Sequence, residues 1–122
     1  MKSNKAVYKR LQEMYKQSNR TDLELDVLKS LLDEGQDYII SHIKDILTHG
    51  CVSGSCSNLI YYKDTYDFFD KHYEDIMDMI DELNDEGIGV DLMKDGDIKN
   101  TGAWLAYEET IRKIADELQI EY

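Results

Sequence analysis

Residues 64–86 read DTYDFFDKHYEDIMDMIDELNDE, and their spacing decides the fold. At about 100° per residue on a helix, Tyr66, Phe69, Tyr73, Ile76, Met77, Ile80 and Leu83 fall on one stripe. Asp64, Asp67, Asp70, Glu74, Asp75, Asp78, Asp81, Glu82, Asp85 and Glu86 fill the opposite side, where Lys71 is the one base. Acids three and four residues apart repel each other by some tenths of a kcal/mol per pair. The pattern predicts one long helix with a packed side and an anionic side, and the anionic side suits a cationic partner.

Outward from this stretch the chain reads as helices punctuated by glycine. Upstream, residues 37–48 are apolar over a wide arc, Ile39, Ile40, Ile43, Ile46 and Leu47, which predicts a helix at the buried centre of the domain. Thr21 and Glu24 have capping-box spacing and open a helix with Leu25, Leu28, Leu31 and Leu32 inward, stopped by Gly35. Residues 4–18 place Val7, Leu11 and Met14 on one face and bases on the other. Downstream, Gly87 and Gly89 close the acidic helix, and the alternation of Ile88, Val90 and Leu92 leaves room for a short extended hairpin within 88–100. Thr101 is the candidate N-cap of a last helix lined by Trp104, Tyr107, Ile111, Ile114 or Ala115, and Leu118. The chain has no proline. The expectation is an all-α, compact single-domain bundle of about five helices, with residues 1–20 a basic N-terminal helix and 21–122 an acidic helical body.

Charge narrows the function classes. The net charge of −12 divides into +5 over residues 1–20 and −17 over the rest. A body this acidic repels nucleic acid and favours basic surfaces. Direct nucleic-acid contact would rest on residues 1–20, where Tyr8 and Tyr15 interleave with lysine and arginine. No apolar run approaches the roughly 20 residues that span a bilayer, and the first residues lack a signal-peptide core. A cytoplasmic location follows as the expectation, with Cys51 and Cys56 as reduced thiols.

Few residues suggest chemistry. His49, Cys51 and Cys56, with His72, offer zinc-type donors, yet Cys-x4-Cys without a second cysteine pair is an uncommon zinc pattern. Asp91 to Asp97 resembles the start of a calcium loop but has Met93 at its third position and Gly102 at its twelfth. Ser53, Ser55 and Ser57 beside His49 read as loop residues, and no phosphate-cradling Gly-Lys motif is present. A solvated row of carboxylates lacks the desolvation that splits a catalytic pair. The reading is therefore a non-enzyme with no metal or cofactor. A small metal-binding or catalytic protein centred on His49, Cys51 and Cys56, and a non-enzymatic dimeric module, are the alternatives.

The runs GCVSGSCSNLIYYKDTYDFFDKHYEDI (50–76) and WLAYEETIRKIADEL (104–118) resemble a family of small acidic proteins carried by phages, plasmids and other mobile elements of bacteria. The shared features are a Gly-x-x-Ser-Gly turn, a Tyr-Tyr pair before Asp-Thr, an aromatic-acidic helix, then Trp and a Glu-Glu-Thr helix. The resemblance implies an anti-defence protein of the bacterial cytoplasm, such as an anti-CRISPR inhibitor of a Cas9-type nuclease. In such a protein Asp64, Asp67, Asp70, Glu74, Asp75, Asp78, Asp81, Glu82 and Asp85 would take the place of nucleic-acid phosphates on a basic protein or its ribonucleoprotein. The apolar stripe of residues 4–18 is short, and a second copy covering it predicts a homodimer.

Overall fold

The computed structural model describes residues 3–49, 62–87 and 98–121. Six helices account for the regular structure among them, with no strand: α1 (Asn4–Tyr15), α2 (Asp22–Asp33), α3 (Ile39–His49), α4 (Tyr62–Lys71), α5 (Tyr73–Asp85) and α6 (Ile98–Leu118). The all-α expectation holds. The cysteine-bearing loop and most of the expected hairpin lie outside the described residues, while 98–100 belong to α6.

Local chemistry starts and stops these helices. The Ser3 hydroxyl accepts from the Ala6 N–H at 3.1 Å and caps α1, and the Thr21 hydroxyl does the same for Glu24 at 3.2 Å in α2. Gly35 and Gly87 follow the caps of α2 and α5 with φ of +92° and +85°, a conformation that costs glycine little. A long-range cap escaped the sequence. Asn4 accepts from the Ile40 N–H at 3.1 Å and donates to the Asp37 carbonyl at 2.6 Å, so the start of α1 holds the start of α3.

Two apolar clusters share one helix. The larger joins Val7, Leu11 and Met14 of α1, Val27, Leu28 and Leu31 of α2, Ile39, Ile43, Ile46 and Leu47 of α3, and the second half of α6. The smaller joins Phe69, Ile76 and Ile80 to Ala103 and Ala106 in the first half of α6. Phe68 touches both. The centre of the domain is therefore α6, which packs against α2, α3, α4 and α5, rather than α3 alone. Close approach of α4 explains the small residues of α6. A methyl added at Gly102 would lie 2.6 Å from the Phe69 ring. Beside it the buried Thr65 hydroxyl donates to Asn100.

Four expectations need correction. Residues 64–86 form two helices, because His72 leaves helical geometry (φ −112°, ψ 26°) and turns its ring inward to Asp26 of α2. An apolar period runs through such a kink without a trace in the sequence. Tyr73 consequently swings out to solvent, 53% exposed, and meets the Phe69 ring edge-on. Helix α6 begins at Ile98, which places Thr101 inside it rather than at its cap. In α2, Leu23 and Val27 are buried where Leu25 was expected, and Leu25 is half-buried. Finally, Val7, Leu11 and Met14 are at most 2% exposed within a single chain. The stripe of α1 is covered by α2 and α3, so the ground for expecting a second copy there is removed.

Candidate functional site

The acids of the central stretch separate into an α4 group and an α5 group. On α4, Asp67 is exposed, and Asp70 takes Lys99 of α6 at 2.9 Å. Asp64 lies in α4, with its side chain outside the described residues. On α5, Glu74, Asp78, Asp81, Glu82 and Asp85 are exposed, Asp75 is half-buried, and Glu86 follows at the cap. The nine candidate carboxylates therefore do not make one continuous row.

Pairing distinguishes the two groups further. Among the described residues the ion pairs are Arg10 with Glu13, Arg20 with Glu24 and Glu117, Lys71 with Asp26, Lys99 with Asp70, and Arg112 with Glu108 and Glu109. None of these bases reaches an acid of α5. Glu74 and Asp75 sit in the first turn of α5, where the helix dipole favours them. Asp81, Glu82 and Asp85 sit toward the opposite end, and no base lies in the last turn. Carboxylates there face the negative end of the dipole, a cost of about 0.3–1 kcal/mol each at low salt. Local structure does not compensate that cost.

Two polar nodes tie distant parts of the chain together, and the first holds the acidic helices against the body. At the junction of α4 and α5, His72 is 3% exposed and its Nε2 lies 2.7 Å from the Asp26 carboxylate, which also takes Lys71 at 2.9 Å. The Phe68 ring packs edge-on against the imidazole, 4.8 Å between centroids. Burial pushes the Asp26 carboxyl up, but the hydrogen bonds and charges of Lys71 and His72 outweigh it and hold it below the usual carboxylate range. The second node is Arg20, which donates to Gln17 at 2.8 Å and to Glu24 at 3.1 Å, and pairs with Glu117 of α6 at 2.9 Å. The capping-box glutamate thus turns to Arg20. Neither node was singled out from the sequence, since both join residues more than 40 positions apart.

Between α5, the start of α2 and the second half of α6 runs a groove of about 380 Å³. Asp75, Asp78 and Glu82 form one wall, Arg20 and Glu24 the other, and Leu23, Met79 and Ile114 contribute apolar surface. Thr110 also lines it, 2% exposed, and its hydroxyl has no hydrogen-bond partner.

The alternative centre at residues 49–56 lies outside the described residues, beyond the backbone of His49 at the end of α3. His72 is committed to Asp26. Among the described residues no three His, Cys, Asp or Glu side chains are grouped to hold a metal ion, and no helix is long and apolar enough to cross a membrane. Helix α1 displays Lys5, Lys9 and Arg10 to solvent, with Lys16 exposed at its C-cap, and packs on α2 and α3.

Comparison with curated proteins and with solved structures gives no match. One family does match, over residues 7–120, and on that ground the chain belongs to DUF7222, a domain family of unknown function.

Proposed function

We propose that this protein is a non-enzymatic binding protein that engages a basic, nucleic-acid-handling protein through the carboxylates of α4 and α5. The observation that carries the reading is the state of α5: its acids, exposed except for the half-buried Asp75, take none of the chain's own bases among the described residues, even where the helix dipole disfavours them. Carboxylates in that state are stabilised by a cationic surface, and arginine grips carboxylate and phosphate with the same two-pronged geometry. The resemblance to acidic proteins of mobile elements supplies the class of partner, a defence nuclease whose channel holds nucleic acid, with Cas9 as the instance to test. Binding of this kind associates fast and weakens with salt.

The test is charge reversal. Asp67→Lys, Glu74→Lys and Asp78→Lys together are expected to abolish inhibition of DNA cleavage by Cas9 and to leave the helical circular-dichroism signal unchanged. All three residues are exposed, so the fold should tolerate the exchange. A folded triple variant that inhibits as well as the parent would overturn the proposal.

A further inference from the structure

We infer that the outward face of α1 is a docking surface for the phosphate backbone of single-stranded nucleic acid. The inference goes beyond the acidic-face reading and uses none of the carboxylates of α4 and α5. Three observations converge on it. The first is geometry. At about 100° per residue Lys5, Lys9, Gln12 and Lys16 fall within roughly 60° of one another, on the side opposite the buried Val7, Leu11 and Met14. All four are exposed, and the row runs about 16 Å along the helix. The second is pairing. Among the described residues Lys5, Lys9 and Lys16 make no ion pair, in a chain with 26 acids and 14 lysines and arginines. Glu13, the one acid of α1, is taken by Arg10 at 3.5 Å. The third is the helix dipole. The first turn of α1 holds Lys5 and no acid, so a base adds to the positive end of the dipole, an arrangement that an incoming anion relieves.

The character of the row selects its occupant. Its ammonium groups, on long flexible stems, meet phosphates as point charges without a fixed angle. Val7, Leu11 and Met14 are at most 2% exposed, so α1 has no apolar face free to enter a bilayer surface, as an interfacial helix must. Tyr8, between Lys5 and Lys9 in sequence, is half-buried with its hydroxyl on the Leu32 carbonyl, which leaves phosphate contact rather than base stacking as the chemistry of the row. The acidic body limits the contact to a thin ligand. Helix α1 packs on α2 and α3, and α5 on α6 and α4, so the two charged faces belong to different parts of the surface. Salt at 0.1 M screens charges beyond about 10 Å. A single strand can follow α1 alone, whereas a duplex, with one charge per about 1.7 Å of axis, lays more negative charge beside the body.

The experiment titrates the full chain, labelled with nitrogen-15, with a single-stranded oligothymidylate of about a dozen nucleotides, at 50 mM and at 200 mM KCl. Saturable amide shifts are expected in residues 4–16. With three lysines on phosphates of a single strand, the fourfold rise in salt is expected to weaken binding by about 20-fold. Lys5→Gln, Lys9→Gln and Lys16→Gln, each at an exposed position that the fold tolerates, are each expected to weaken binding at 50 mM KCl and to reduce that salt effect to about sevenfold. The three together are expected to abolish saturation with the circular-dichroism signal unchanged. Lys113→Gln, at an exposed base of α6 on the groove beside α5, is expected to bind as the parent does. Absence of saturation at 50 mM KCl, shifts centred outside α1, single variants that bind as the parent does, or an equal loss in the Lys113→Gln protein would each overturn the inference. A second arm offers vesicles of phosphatidylglycerol and phosphatidylcholine, to which no binding is expected. Lysine-dependent binding to these vesicles, tighter than to the oligonucleotide, would assign the face to a membrane and overturn the inference as well.

Discussion

His72 and Asp26 show how one side chain sets the course of a helix. An imidazole with a side-chain exposure of 2% needs a partner for its ring nitrogen, and the nearest is a carboxylate on another helix. Meeting it bends the chain at 72 and turns α4 into α5. Because the Asp26 carboxyl is held below its ordinary value of 3.8, the pair stabilises the fold fully above that pH, and the contribution fades as pH falls through the lower, folded-state value. Asp26→Asn is therefore expected to lower stability at pH 7 by about 1–3 kcal/mol, the range for disturbing a buried hydrogen-bonded donor. The gap between variant and parent should narrow at pH 3. Urea midpoints at the two pH values check this, and an equal gap at both would show that the ionised carboxylate is not what matters.

At the scale of elements, helix periodicity was legible wherever a stripe stayed on one side of a straight helix. Val7, Leu11 and Met14, then Ile39, Ile43 and Ile46, then Tyr107, Ile111 and Leu118 all reach the core as their spacing predicts. The turns at Gly35 and Gly87 and the Thr21 cap were legible for the same reason, since each depends on a few adjacent residues. What the sequence hid depends on distant partners: the His72 kink, the Asn4 cap on α3, the Arg20 node and the groove. The candidate carboxylates were legible as residues but not as an arrangement, because the kink divides them. The basic helix was misjudged in a like way, its stripe being short in sequence yet deeply buried by α2 and α3. The Tyr8 hydroxyl adds a bond to the Leu32 carbonyl at 3.0 Å. Removing residues 1–19 should therefore unfold the domain, and Leu11→Ala alone should cost about 2–5 kcal/mol in chemical denaturation. A truncated chain that still unfolds cooperatively would show that α1 is dispensable.

Among the described residues the molecule has two unequal cores on one shared helix, sixteen buried apolar residues in the larger cluster and five in the smaller. Cooperative units of a fold open at different free energies, and those with fewer buried contacts open first. The α4–α5 unit is held to the body by Phe69, Ile76 and Ile80 against the alanines of α6, by Thr65 on Asn100, and by His72 on Asp26. Amide hydrogen exchange at Ile76 and Ile80 should accordingly report a lower opening free energy than at Val27, Leu28 or Ile111. Identical values throughout would mean that the two cores open as one. The acidic surface then rides on the part of the chain that loosens most readily. A partner that grips α5 would leave its mark as slowed exchange confined to 62–87 and the start of α6, an imprint readable without any structure of the complex.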